Sequence, residues 1–150
     1  MIRRLVSFLI VLTCVLPGWA AAQVPVSAVR VWPAPDYTRL TLESPQPLRY
    51  ALSSATGSNR LVLHLQNAQP GSVLGSLPGR IAGNDPLVAR AEVLPAAEGV
   101  LIVLHLRAEA RPQAFGLRPV GAYAHRVVLD LYPTQPADPV LALIQELEAV

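Results

Sequence analysis

The sequence predicts an all-β fold, a sandwich of two roughly four-stranded sheets built from an internal duplication and followed by a short C-terminal helix. Three observations predict it. Between residues 24 and 132, short apolar segments with period-two alternation are parted by Pro, Gly, Asn and Ser. The order of those segments starts again near residue 88. After Tyr132 the apolar spacing changes from the strand period to the helical one.

The first 22 residues read as an export signal. Arg3 and Arg4 give a positive start, Leu5 to Leu16 is an apolar run broken by Pro17-Gly18, and Ala20-Ala21-Ala22 supplies small residues before a cut after Ala22. The run is shorter than the roughly 20 residues a membrane-spanning helix needs. The general secretory route fits better than twin-arginine export, because Met-Ile-Arg-Arg-Leu-Val-Ser matches the latter only in part. Cys14 is a poor lipidation site, since the apolar run continues past it. Cleavage removes two arginines and the one cysteine, and leaves ten arginines against ten carboxylates with no lysine. A mature chain near neutrality, with no polybasic run, argues against a nucleic-acid partner. It must also fold without disulfides in a compartment that permits them.

The strands follow in order. Ala28 to Trp32 is the first and ends at Pro33-Ala34-Pro35. Tyr37 to Glu43 alternates, with Leu40 and Leu42 on one face and Arg39 and Thr41 on the other. Leu48, Tyr50 and Leu52 alternate likewise, and Leu61, Leu63 and Leu65 oppose Val62 and His64. Asn67 to Pro86 is glycine-rich but lacks a Gly-Lys-Ser/Thr ending, so it is a connector, with one short strand at Val73 to Leu77, rather than a phosphate loop. Val88 to Leu94, Val100 to Leu106, Gln113 to Leu117 and Arg126 to Tyr132 are four further strands. Their apolar density predicts that several are covered on both faces.

The restart has the form of a duplication. Val31-Trp32-Pro33-Ala34 aligns with Val93-Leu94-Pro95-Ala96, and Leu40-Thr41-Leu42 with Ile102-Val103-Leu104 at the same offset. Asn59 to Leu65 aligns with His125 to Leu131. Two such halves give two sheets whose apolar faces pack together.

Past Tyr132, Pro133-Thr134-Gln135-Pro136 is a stiff linker, and Asp138-Pro139 is a helix start with a capping side chain and proline at the first position. Val140, Leu141, Leu143, Ile144 and Leu147 form an apolar stripe. Glu146 and Glu148 crowd the negative end of a helix too short to be stable alone. The stripe docks on the sandwich or leads into another domain, and the second is the reading preferred. The expected division is residues 1–22 as signal peptide, 23–133 as the sandwich, and 134–150 as linker and start of a helix.

Catalytic chemistry has little support. The mature histidines, His64, His105 and His125, show no His-Glu-x-x-His or comparable spacing for a metal. There is no Gly-x-Ser-x-Gly elbow and no mature thiol. No catalytic residue, metal ligand or cofactor is therefore assigned.

Three segments resemble a known family. Arg30-Val31-Trp32-Pro33-Ala34-Pro35-Asp36-Tyr37-Thr38-Arg39-Leu40-Thr41-Leu42-Glu43 looks like the opening of an AMIN domain, Asp85-Pro86-Leu87-Val88 fits the start of its second half, and His125 to Pro133 is similar to its closing strand. The resemblance covers residues 26 to 133. AMIN domains of this type form the N-terminal targeting part of periplasmic, AmiC-like N-acetylmuramoyl-L-alanine amidases, in which a zinc amidase domain follows a linker. The resemblance implies a two-sheet sandwich that binds peptidoglycan and localises an enzyme of wall remodelling and daughter-cell separation to the septum. It places zinc only in an amidase domain, whose His and Glu ligands have no counterpart here. Related domains in secretins supply the alternative, a module that binds proteins of a pilus or secretion machine in the envelope.

Peptidoglycan offers carboxylates, acetamido groups and sugar faces. Arginine forks suit carboxylates, and Arg39, Arg60 and Arg126 are turned away from the apolar face by the alternation. These three and Tyr37, which can stack on a sugar, are the candidate ligand-binding residues. The competing role for the arginines is solvation or cross-strand pairing with Glu43 or Asp130. Trp32 offers a second ring that can stack on a sugar, but its strand position is expected to place it in the core; Asp130 is expected on the exposed face.

Overall fold

The computed structural model describes residues 22–54, 58–134 and 139–148. The leader up to Ala21 and residues 135–138 of the expected linker lie outside the described residues. Described strands run in chain order as β1 (Val24–Pro25), β2 (Ala28–Pro33), β3 (Thr38–Ser44), β4 (Tyr50–Ser54), β5 (Arg60–Leu65), β6 (Ala68–Gln69), β7 (Val88–Pro95), β8 (Val100–Leu106), β9 (Ala110–Leu117) and β10 (His125–Pro133). Helix α1 (Ser72–Gly75) and a 3₁₀ turn (Leu77–Arg80) lie between β6 and β7, and α2 (Pro139–Glu148) follows β10.

Two four-stranded antiparallel sheets form, in the order β2-β3-β10-β9 and β4-β5-β8-β7. Period-two alternation sends Val29, Leu40, Leu42, Val127, Leu129 and Leu131 of the first sheet into one cluster with Leu61, Leu63, Leu65, Ile102 and Leu104 of the second. This is the sandwich core. β1 and β6 add a small parallel pair, Val24 opposite Ala68.

The duplication is visible in the registers. Val31 pairs with Leu40 in the β2–β3 hairpin, and Val93 pairs with Ile102 in β7–β8, as the aligned segments require. Leu40 faces Leu129 across β3–β10, and its repeat counterpart Ile102 faces Leu63 across β5–β8. Each sheet takes one hairpin from each half, so the halves are interleaved rather than stacked.

The connector is corrected by the structure. Val73 to Leu77 is not a strand: α1 and the 3₁₀ turn bury Leu74 and Leu77 against the core and contact β2 and β7, the edge strands on one side. The Asp85-Pro86-Leu87-Val88 segment has a structural use. The buried Asp85 carboxylate accepts Thr38 Oγ1 at 3.1 Å and the amides of Leu87 and Val88 at 2.9 Å each, tying the start of β7 to β3. Arg107 Nε donates to the Asp85 carbonyl at 3.0 Å. Central strands are covered on both faces, as expected: Val103 and Val128 point outward yet are buried among neighbouring side chains. In α2, Val140, Leu143, Ile144 and Leu147 are exposed. No helix of the described residues is long and apolar enough to cross a membrane.

Candidate functional site

The alternation that turns Val29 and Val31 inward turns Arg30 and Trp32 outward. On the same outer face lie Arg39, Thr41 and Glu43 of β3, and Arg126, Val128, Asp130 and Tyr132 of β10. Register sets Trp32 beside Arg39 and Arg39 beside Asp130.

Arg39 is the hub of this face. Its Nε donates to Asp130 Oδ1 at 2.7 Å and its Nη2 to Oδ2 at 2.8 Å, a bidentate pair. The hydrogen bond to Asp130 holds the guanidinium proton above its ordinary affinity, against the opposing effect of burial and with help from the carboxylate charge. The Tyr132 hydroxyl donates to the same carboxylate at 3.4 Å. Asp130 is therefore not exposed as expected: it faces outward, but only 1% of it is accessible beneath these partners. Arg39 also lies 5.4 Å from the centroid of the Tyr37 ring, and Tyr37 packs 5.6 Å from Tyr132. Asp130 thus orients Arg39, and Arg39 with Tyr132 orients Tyr37.

Trp32 is the second correction. It is 67% exposed rather than in the core. It shares parity with Arg30 at the end of an edge strand, and Val29 and Val31 occupy the inward positions. Its ring borders a shallow groove of about 290 Å³ lined by Arg30, Trp32, Tyr37, Arg39 and Thr41. Arg30 is held by Glu43 at 3.0 Å.

The four predicted site residues are thus not one cluster. Tyr37 and Arg39 touch. Arg126 lies four residues from Asp130 along β10, about 13 Å at the strand rise; its guanidinium stacks 4.8 Å from the Tyr123 centroid. Arg60 is exposed on β5, in the other sheet. Of the arginines, Arg39 is engaged by Asp130, the cross-strand pairing foreseen as its competing role. Arg30, Trp32 and Tyr132 were missed as members of the face, although the parity of Arg30 and Trp32 was legible. Tyr123 sits in a turn and had no periodic signal.

The histidines do not converge. His64 Nε2 lies 2.7 Å from the Glu98 carbonyl. His105 Nε2 donates to Glu92 at 2.6 Å, also on the second sheet. That hydrogen bond, with Arg90 3.3 Å away and burial opposing, holds the Glu92 carboxyl below its usual 4.5. His125 belongs to the first sheet. Among the described residues, no group of three or more His, Cys, Asp or Glu side chains is placed to hold a metal.

Comparison with known proteins agrees with this architecture. A family model for the AMIN domain matches residues 28–131. The chain is 37% identical over 130 residues to N-acetylmuramoyl-L-alanine amidase AmiC of Escherichia coli O6:H1, covering 84% of this chain and 31% of that protein. It is 36% identical over 121 residues to N-acetylmuramoyl-L-alanine amidase AmiC of Neisseria meningitidis serogroup B, covering 79% of this chain and 29% of the relative. The chain thus spans about a third of the length of these relatives.

Proposed function

The chain belongs to the AMIN domain family, and on that footing we propose that it is a peptidoglycan-binding module that directs an N-acetylmuramoyl-L-alanine amidase to the septum. The amidase reaction and its zinc belong to a domain outside these residues; the work of this chain is non-covalent binding. Export through the leader, with the domain acting in the periplasm, is part of the same proposal.

The observation that carries the reading is the exposed Trp32 beside a groove bordered by Tyr37 and Arg39. An indole 67% exposed at the rim of this groove is costly in water and suited to the apolar face of a sugar ring. Tyr37 offers a second aromatic surface whose orientation is fixed by Arg39 and Tyr132. Arg30 and Thr41 border the groove with donors for acetamido and hydroxyl oxygens. Because Arg30, Trp32, Arg39 and Thr41 sit on paired strands and Tyr37, in the turn before β3, is packed against Arg39 and Tyr132, little ordering is needed on binding.

Trp32 reports on its own site, since Trp19 leaves with the leader and these are the chain's two tryptophans. Titrating the leader-free chain with soluble glycan fragments of peptidoglycan should shift Trp32 emission saturably. Emission unchanged at saturating fragment would contradict binding at this face. Imaging of a fluorescent fusion tests the targeting step: midcell rings are expected, and scattered or polar foci would favour an envelope machine instead.

A further inference from the structure

A second groove lies at the opposite end of the first sheet, where the segment leading into β4 passes the end of β9 and the start of β10. It encloses about 330 Å³, at the small end of the roughly 300–1,000 Å³ range of ligand clefts. Its apolar lining includes Pro47, Leu48 and Val127, and its polar lining is Arg118, His125 and Arg126. No carboxylate lines it.

The state of Arg126 sets this groove apart. Arg30, Arg39 and Arg90 each have a carboxylate partner. Arg126 does not: its Nε is buried with no hydrogen-bond partner, and its guanidinium rests against Tyr123. Glu43 is its neighbour in register, but the Glu43 carboxylate goes to Arg30. Arg118, like Arg126, makes no ion pair among the described residues. A guanidinium partly desolvated, held by an aromatic ring and left without an anion is destabilising by itself. An incoming carboxylate would complete it.

We infer that this groove is a subsite for the free terminal carboxylate of a short peptide with small apolar side chains, received by Arg126 with Arg118 and His125 beside it, while Leu48, Pro47 and Val127 take the side-chain methyls. This rests on the peptidoglycan reading and deepens it: the Trp32 face meets glycan and the Arg126 groove meets the stem peptide. The chemistry disfavours an amidated peptide end, which brings no charge to the guanidinium.

The test is a ¹⁵N NMR titration of the chain with N-acetyl-D-alanyl-D-alanine and with its C-terminal amide. The acid should move the Arg126 Nε–H and the Leu117 and Val127 amide signals saturably, and the amide should bind about tenfold more weakly or worse. R126Q should abolish the response, and R90Q, on β7 of the other sheet, should leave it intact. Equal binding of acid and amide, or no response to either, overturns the inference. That comparison uses the unmodified chain and so holds even if R126Q fails to fold. Sedimentation with whole sacculi, run in parallel, separates the two claims. Sacculus binding without a carboxylate response overturns the subsite and leaves the glycan reading standing. A carboxylate response without sacculus binding supports the subsite and overturns the peptidoglycan reading.

Discussion

Single residues on the outer face and in the turns carry unequal loads. Asp130 is the buried member of its pair and Arg39 the half-exposed one, at 2% and 41% side-chain exposure. Removing the cation leaves a buried charge uncompensated, whereas removing the anion returns a guanidinium to water. R39Q should therefore destabilise by about 2–3 kcal/mol and D130N by about 1 kcal/mol, read from urea midpoints. R39Q should also loosen Tyr37. Gly99 sits at φ +72 in the β7–β8 turn, where an added Cβ would fall 1.8 Å from the Leu65 carbonyl oxygen. Gly99→Ala should cost about 3 kcal/mol or more. Gly121 is at φ +56 with open space around it, so Gly121→Ala should cost only about 1–2 kcal/mol. The Glu92 carboxyl is held below its usual value in the folded chain. Its contribution is thus present above the ordinary carboxylate range and is lost as pH falls through the lowered value. The gap in thermal midpoint between the parent chain and E92Q should be widest above pH 4.5 and close on acidification. At this scale the sequence was a partial guide. Parity assigned Arg39, Arg126 and Asp130 to the outer face correctly. It could not say that Arg39 and Tyr132 bury Asp130, because that depends on which strand lies next to which.

Among the elements, the strands were legible because Leu or Val recurs at every second position through β3, β5 and β10. The connector was not. Ser72 to Arg80 is too short for a helical period to declare itself, and its glycines and proline read as loop. What decides its form is tertiary: Leu74 and Leu77 must reach the core between the edge strands β2 and β7, and a helical turn places them there. Leu77 is fully buried. Leu77→Ala should cost about 2–4 kcal/mol in chemical denaturation, whereas Val73→Ala, at a residue 37% exposed, should stay within about 0.5 kcal/mol. Equal effects would mean the connector lies on the sandwich without closing it.

For the whole molecule, the repeat made the sandwich predictable, and the matching registers of β2–β3 with β7–β8 show why. Two similar halves, each a pair of hairpins, bury their apolar faces by exchanging hairpins between two sheets. The outer faces are thereby freed from core duty, and on the first of them aromatic and arginine side chains have accumulated. Sequence reasoning found the arginines but placed Trp32 inside on the usual burial of tryptophan, although the alternation that turns Val29 and Val31 inward sets Trp32 on the outer face. The central claim is that this face binds peptidoglycan, with Trp32 at its rim. Its most direct test is co-sedimentation of the leader-free chain with purified sacculi, comparing the parent with Trp32→Ala. The parent should be enriched in the pellet, and Trp32→Ala, with an unchanged thermal midpoint, should be recovered mainly in the supernatant. A parent chain that stays in the supernatant, or a Trp32→Ala chain that pellets equally well, would contradict binding at this face.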